Sequence, residues 1–302
     1  MNNQLQSKPK FSLAIQSDGY KKLINNTLGD PNRAKRFIAS ISSAVATNQS
    51  LQKCDAGSIL SGALLGEALN LSPSPQLGQY YLVPYDKKQY NQQTKKWEVV
   101  ESNAQFQIGY KGYIQLAIRS GQYKDIDVIE VREGEFLGRN KLTGKYQFEF
   151  IEDEVEREIK PIIGYMAYFE YLNGFTKSIY WTKEKMQKHA IEYSKAYASD
   201  LKQGTSYSFW SKDFNGMAFK TMIRQLISKW GIMSIEIQEA LTKDMSVMNT
   251  DGSYDYVDNK QNANLEPVEN NTIEINETEQ ESGQQNEQQQ ITKPKKVSLD
   301  EL

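Results

Sequence analysis

The sixteen residues FQIGYKGYIQLAIRSG, 106–121, change hydrophobic period inside a single turn. Phe106, Ile108 and Tyr110 alternate as in a strand, and residues 113–120 recur as in a helix that Gly121 stops. Gly109 and Gly112 bracket the switch. A strand feeding straight into a helix leaves one apolar face on each, and those faces must be covered by a sheet and a helical layer. This constraint points to an α+β fold, a small twisted, mainly antiparallel sheet with helices packed on it.

The flanking sequence fits that frame. Asp30 and Pro31 open a helix as N-cap and first helical residue, followed by Ala34, Phe37, Ile38, Ile41 and Val45 at helical spacing. Asp55 caps a second helix, with Ile59, Leu60, Ala63, Leu64 and Ala68 apolar, and Gly62 and Gly66 imply that another backbone packs closely. The SPSP segment at 72–75 ends it. Strands are expected at 80–85, 106–110, 126–131, around Tyr146, Phe148 and Phe150, and at 162–171 and 175–181. The last two flank Asn173-Gly174, a strong hairpin signal. Residues 86–103 read as a polar loop with an added strand at 97–100. Thr182 caps a helix to about residue 197, residues 213–230 form a second long helix ended by Gly231, and a short apolar piece spans 232–241.

Three regions follow: a flexible N-terminal arm at 1–28, a folded core at 29–247 and a disordered acidic tail at 248–302. The tail is rich in Asn, Gln, Glu and Ser and too poor in apolar side chains to offset its ordering entropy. Its end, KPKKVSLDEL at 293–302, regains basic and apolar character and is a candidate partner-docking segment. Residues 241–302 hold 13 acidic and 5 basic residues, so the first 240 carry 25 acidic and 31 basic, a body of +6 within a chain of −2. A basic body suits a polyanion.

Several chemistries drop out. One cysteine, Cys54, allows no internal disulfide and fits a reducing cytoplasm, and the polar start MNNQLQSKPK reads as no leader. No run of apolar residues is long enough to span a membrane. The single His189, read as a surface helix residue, removes Cys/His zinc sites and leaves one base for any Ser-His-Asp triad. GRNKLTGK at 138–145 misses a phosphate-binding P-loop in glycine spacing and lacks Ser or Thr after its final lysine. Asp125 and Asp127 do not make the carboxylate cluster of a metal nuclease. No catalytic residue, metal ligand or cofactor site is expected.

Two stretches carry binding chemistry. Residues 80–181 hold 20 of the 33 aromatic residues, whose flat faces suit either sheet packing or base stacking. At the glycine turn, Gly109 and Gly112 let the backbone approach a ligand, a helix N-terminus favours an anion, and Lys111 adds a mobile cation beside Tyr110 and Tyr113. A KH-type GxxG clamp fails on detail, because Gln115 stands where an aliphatic residue belongs. The bland reading is a plain strand-turn-helix link. In the helix at 213–230, Phe214, Met217, Ala218, Ile223, Leu226, Ile227 and Trp230 point inward, and Lys220 and Arg224 share a face with no acidic partner four residues away. That face reads either as the wall of a phosphate-backbone groove or as a solvated surface.

At these stretches the sequence resembles the RecT family of phage and prophage single-strand annealing proteins. The resemblance is carried by QKCD (52–55), ALNLSP (68–73), LGQYYLVPY (77–85), FQIGYKGYIQLAIRSGQY (106–123), NGFTKSIYW (173–181) and AFKTMIRQLISKWG (218–231), in order along residues 30–245. It implies an ATP-independent recombinase that binds single-stranded DNA, pairs complementary strands, holds the annealed duplex and assembles as rings or helical filaments. A RecE-type 5′→3′ exonuclease and the host single-stranded DNA-binding protein are its implied partners, in the cytoplasm of a bacterial host. By position, Lys111, Arg119, Lys220 and Arg224 fall in the DNA groove with Tyr110 and Tyr113 beside them, and Lys212 and Lys229 complete the basic set. No cofactor is implied, and Mg²⁺ enters only as a modulator of DNA binding. A passive single-strand-coating module and a metal-dependent nuclease are the competing functions.

Overall fold

Residues 11–248 and 254–256 are described by a computed structural model of the chain. Helices α1 (Phe11–Ala14), α2 (Asp18–Leu28), α3 (Pro31–Ala46) and α4 (Ala56–Ala68) come first. Asp30 caps α3 by accepting from the Asn32 amide, and Asp55 caps α4 by accepting from the Ser58 amide, as the sequence signals require. The flexible arm expected at 1–28 is, from Phe11 onward, helical and anchored: Phe11, Ile15 and Ile24 are buried in the core. Apolar positions spaced across two short helices outweigh their polar surroundings once α3 offers a surface. Residues 1–10 lie outside the described residues.

Strands β1 (Tyr80–Asn91) and β2 (Lys96–Ile108) form one long antiparallel hairpin. The polar loop expected at 86–103 is therefore a continuous two-stranded ribbon with a bulge at Lys87/Lys88. On its core side Tyr80, Leu82, Phe106 and Ile108 are buried, each contributing about 1.5–3 kcal/mol of apolar transfer energy. Gly62 and Gly66 of α4 admit this face, but what packs there is the Leu82 side chain and the Tyr80 ring rather than a second backbone.

Helix α5 (Tyr110–Arg119) follows Gly109 directly, so Tyr110 belongs to the helix and not to the strand. The chain continues through β3 (Tyr123–Arg132), β4 (Phe136–Arg139), β5 (Tyr146–Phe148), α6 (Glu154–Ile159), β6 (Ile162–Tyr171) and β7 (Thr176–Thr182). The hairpin at Asn173-Gly174 is formed, with Gly174 at φ 82°. Helices α7 (Lys183–Tyr193), α8 (Lys195–Gln203), α9 (Phe209–Lys212), α10 (Phe214–Trp230) and α11 (Ile235–Lys243) close the fold. One helix was expected from Thr182 to residue 197, but Ser194 ends α7 and caps α8. Strands β8 (Ser246–Met248) and β9 (Tyr254–Tyr256) extend the first sheet in the order β1-β2-β8-β9. Thus β9 places a short strand inside the stretch read as structureless tail.

Among the described residues the strands divide into three open sheets, β1-β2-β8-β9, β3-β6-β7 and β4-β5, all antiparallel. The α+β reading holds. Helix α10 lies against α5, β3, β6 and β7, with Ala218, Met222, Ile223, Leu226 and Ile227 buried. Trp230, expected inward, is 48% exposed at its end.

The glycine turn has a packing reason. A Cβ at Gly109 would strike the Gly78 carbonyl oxygen, and one at Gly112 the Gln79 carbonyl oxygen. Gly109 also donates its amide to Gln79 O at 2.9 Å. The chain's own backbone, rather than a ligand, makes the close approach. Gly109→Ala and Gly112→Ala are each expected to lower stability by about 1–3 kcal/mol, read as a lower urea midpoint. An unchanged midpoint would show that residues 78–79 can yield.

Candidate nucleic-acid interface

The groove side of the β1–β2 hairpin carries Tyr81, Val83, Gln105 and Gln107, because alternation sends them opposite to Tyr80, Leu82, Phe106 and Ile108. Facing them are α7, α9, α10 and the loop before α9. Two cavities lie between these surfaces. One, of about 240 Å³, is lined by Tyr85, His189, Tyr193, Tyr207, Trp210 and Arg224 among others. The other, of about 320 Å³, is lined by Tyr81, Gly109, Tyr110, Lys212, Asp213 and Gly216 among others. Val83, Gln107, Phe209, Met217 and Lys220 line both, so the two form one continuous groove.

Its floor is a buried charge cluster. The Asp244 carboxylate, fully buried after α11, accepts from the Ile108 amide at 2.9 Å, the Lys220 ammonium at 2.9 Å and the Tyr113 hydroxyl at 3.0 Å. The Arg224 guanidinium donates to Leu241 O at 3.3 Å and bonds the Tyr113 hydroxyl. Burial lowers the Lys220 pKa, and Asp244 opposes that shift. For Arg224 burial again works against the charge, but Tyr113 and Asp244 outweigh it and hold the guanidinium ionised. Burial first and Asp244 second push the Tyr113 hydroxyl far up, so it remains a neutral donor.

One wall hangs on Asp200. This buried carboxylate accepts from Thr205 Oγ1 at 2.6 Å, from the amides of Tyr207 and Ser208 at 3.1 and 2.7 Å, and from Ser211 Oγ at 2.7 Å. Those bonds hold its pKa well below the usual carboxylate range, the Thr205 hydroxyl most of all. They fix the 205–211 segment and so place Phe209 and Trp210. Ser208 caps α9 and Asp213 caps α10.

The structure sorts the eight sequence-derived residues into three groups. Tyr110, Lys212, Lys220 and Arg224 line the groove, and Lys111 is exposed beside Tyr110, its ammonium 6.0 Å from that ring. Tyr113 sits below the floor as a core residue, tied to Asp244. Arg119 and Lys229 do not line the groove. Arg119 caps the end of α4 by donating to Leu69 O at 2.8 Å and Asn70 O at 3.1 Å. Lys220 and Arg224 are not free cations on a helix face: Lys220 is paired with Asp244, 24 residues on, and Arg224 is bonded to Leu241 O and the Tyr113 hydroxyl with Asp244 close enough to raise its pKa. Gln105, Gln107, Asp200, Tyr207 and Asp244 escaped sequence reasoning. Only Tyr207, an aromatic flanked by serines in a loop, had a readable local signal.

His189 lines the groove and is half-buried, with Trp181 5.4 Å and Tyr193 4.5 Å from its ring centre. Among the described residues no group of three or more His, Cys, Asp or Glu side chains could hold a metal, Asp125 and Asp127 included. No described helix is long and apolar enough to cross a membrane.

The result is a two-sided groove with Lys220, Arg224 and Asp244 at its floor and aromatic side chains on its walls. Comparison with known proteins gives the family. Residues 35–264 match the RecT family. An uncharacterized protein, YqaK, of Bacillus subtilis (strain 168) is 40% identical over 230 residues, covering 76% of this chain and 70% of the relative. Protein RecT of Escherichia coli (strain K12) is 31% identical over 217 residues, covering 70% and 71%. The chain belongs to the RecT family.

Two outcomes test the cluster and the wall. Lys220→Ala leaves Asp244 buried without its ammonium and is expected to cost about 3–5 kcal/mol in chemical denaturation; a loss below about 1 kcal/mol would mean the pair is solvated. Burial first of all lowers the His189 pKa from 6.5 to about 4, with Glu192 opposing and Arg224 and Lys185 reinforcing. Between those values the unfolded chain takes up a proton that the folded chain refuses, so stability is full above pH 6.5 and declines towards pH 4. The decline is expected to be shallower in His189→Gln, and identical pH profiles would place the titration elsewhere.

Proposed function

We propose that the protein is an ATP-independent single-strand annealing recombinase that holds single-stranded DNA in the groove and pairs it with a complementary strand. The single observation that carries this reading is the groove itself, with Lys220 and Arg224 at its floor, Tyr81, Tyr85, Tyr207 and Phe209 on its walls and Lys212 on its lining. Family membership supplies the recombination context.

The mechanism is electrostatic. Two DNA strands repel, and a cationic groove lowers that cost by releasing their counterions. Lys220, fixed by Asp244, and Arg224, fixed by Leu241 O and the Tyr113 hydroxyl, hold phosphates without rearranging, while aromatic faces stack on bases with little regard for sequence. Watson–Crick edges left outward test homology without protein readout. No covalent step is needed, so the protein acts as a binding and pairing agent and not as an enzyme. No cofactor enters, and Mg²⁺ only tunes the charge on the strands. Copies polymerised along a strand, a RecE-type 5′→3′ exonuclease that exposes the strand, the host single-stranded DNA-binding protein and a cytoplasmic site of action complete the proposal.

The test is an annealing time course with complementary oligonucleotides, with and without protein, in the absence of ATP. Acceleration is expected, and a rate at or below the spontaneous one would reduce the protein to a passive coat. Labelled single strands incubated with Mg²⁺ are expected to keep their length, and shortening would make it a nuclease. Because floor variants disturb folding, Lys111→Ala with Lys212→Ala is the better probe. The pair is expected to lower the slope of log affinity against log salt by about 1.4, at about 0.7 per phosphate contact on a single strand; an unchanged slope would remove both lysines from the DNA path.

A further inference from the structure

His189 lines the groove and touches Trp181, which leads to two stretches that do not line it, β7 with the start of α7 and the end of α10. Trp181 on β7 lies 5.4 Å from the His189 ring, and the Lys185 ammonium sits 4.1 Å over the Trp181 indole. Lys229 is within electrostatic reach of Lys185 and helps lower its pKa, after burial. Trp230, next in sequence and half-exposed, has the Lys177 ammonium 3.9 Å over its ring. The strip therefore runs from the groove wall through two tryptophans and three lysines. None of the three lysines makes an ion pair among the described residues, and Glu184 and Glu192 of α7 do not neutralise them.

A solvated helix face ordinarily interleaves its lysines with carboxylate partners. Here the ammonium groups of Lys177 and Lys185 lie over indole rings, Trp181 half-buried and Trp230 exposed, an arrangement that offers phosphates cations beside an accessible aromatic edge. Lys185 is held near a second cation, and a phosphate between them would relieve that repulsion.

We infer that Lys177, Lys185 and Lys229, with Trp181 and Trp230, form a second nucleic-acid contact site outside the groove, which takes a further stretch of single-stranded phosphodiester chain. The site rests on the proposed binding of single-stranded DNA. Its ligand is either the strand leaving the groove at His189 or the incoming complementary strand, which present the same chemistry.

The experiment compares the wild-type chain with the triple variant Lys177→Gln, Lys185→Gln, Lys229→Gln, after a thermal melt to check folding. Salt titrations use a short oligonucleotide, a long one, and a labelled complement offered to protein already loaded with the first strand. The triple variant is expected to lower the salt slope by about 2, at about 0.7 per lysine. A loss with the long but not the short oligonucleotide assigns the strip to the leaving strand. A loss only in capture of the complement assigns it to the incoming strand. Equal slopes in all three titrations overturn the site, while failure of the wild type to bind any oligonucleotide overturns the proposed function and the site together. Should the triple variant not fold, Trp230→Phe decides: the long oligonucleotide or the captured complement is expected to quench the fluorescence that separates wild type from Trp230→Phe, and no quenching of that difference overturns the site.

Discussion

Asp244 is the group on which the arrangement depends. Its two oxygens reach the last residue of β2, the core tyrosine of α5 and the lysine in the middle of α10. A lone carboxylate buried in apolar surroundings would be very costly, and only full pairing makes it tolerable. The same bonds that satisfy the charge also set the spacing between the hairpin and α10. Groove width and fold stability are thus fixed by one interaction, and the floor cations stand oriented before any ligand arrives.

The walls follow a different rule. Helix α9 has four residues, too few to be stable alone, and the segment leading into it is held mainly by hydrogen bonds to Asp200. Polar anchoring leaves Tyr207 and Phe209 exposed at 79% and 44% rather than spent on a core, so their faces stay available to a partner. At the rim Lys111 and Lys212 are exposed, each beside a ring, that of Tyr110 and that of Phe209. The floor is thus set by buried pairing and the wall by polar anchoring, with exposed lysines at the edge.

Much of this was readable from local signals. Asp30, Asp55 and Thr182 cap the helices they were expected to cap, Asp213, read as the first residue of its helix, caps it, and Gly121 and Asn173-Gly174 turn the chain where their backbone preferences allow. What escaped was long-range. No helical spacing rule could pair Lys220 with Asp244, 24 residues on. The hairpin arm was hidden because its turn at 91–96 is polar and holds Lys95 in left-handed backbone, with no Asn-Gly to announce it. Arg119 looked like a ligand cation because sequence cannot show that the carbonyls of Leu69 and Asn70 lie within its reach. The basic set was legible as a set, and its division among floor, rim and helix cap was not.

Helix α10 borders both the groove and the tryptophan strip. Its 17 residues measure about 25 Å from end to end at 1.5 Å per residue. A strand laid along it at the B-form rise of about 3.4 Å would pass roughly seven nucleotides, and a stretched one fewer. On the proposed reading that length is the stretch of strand α10 can accompany, and a longer tract would have to run on past this helix.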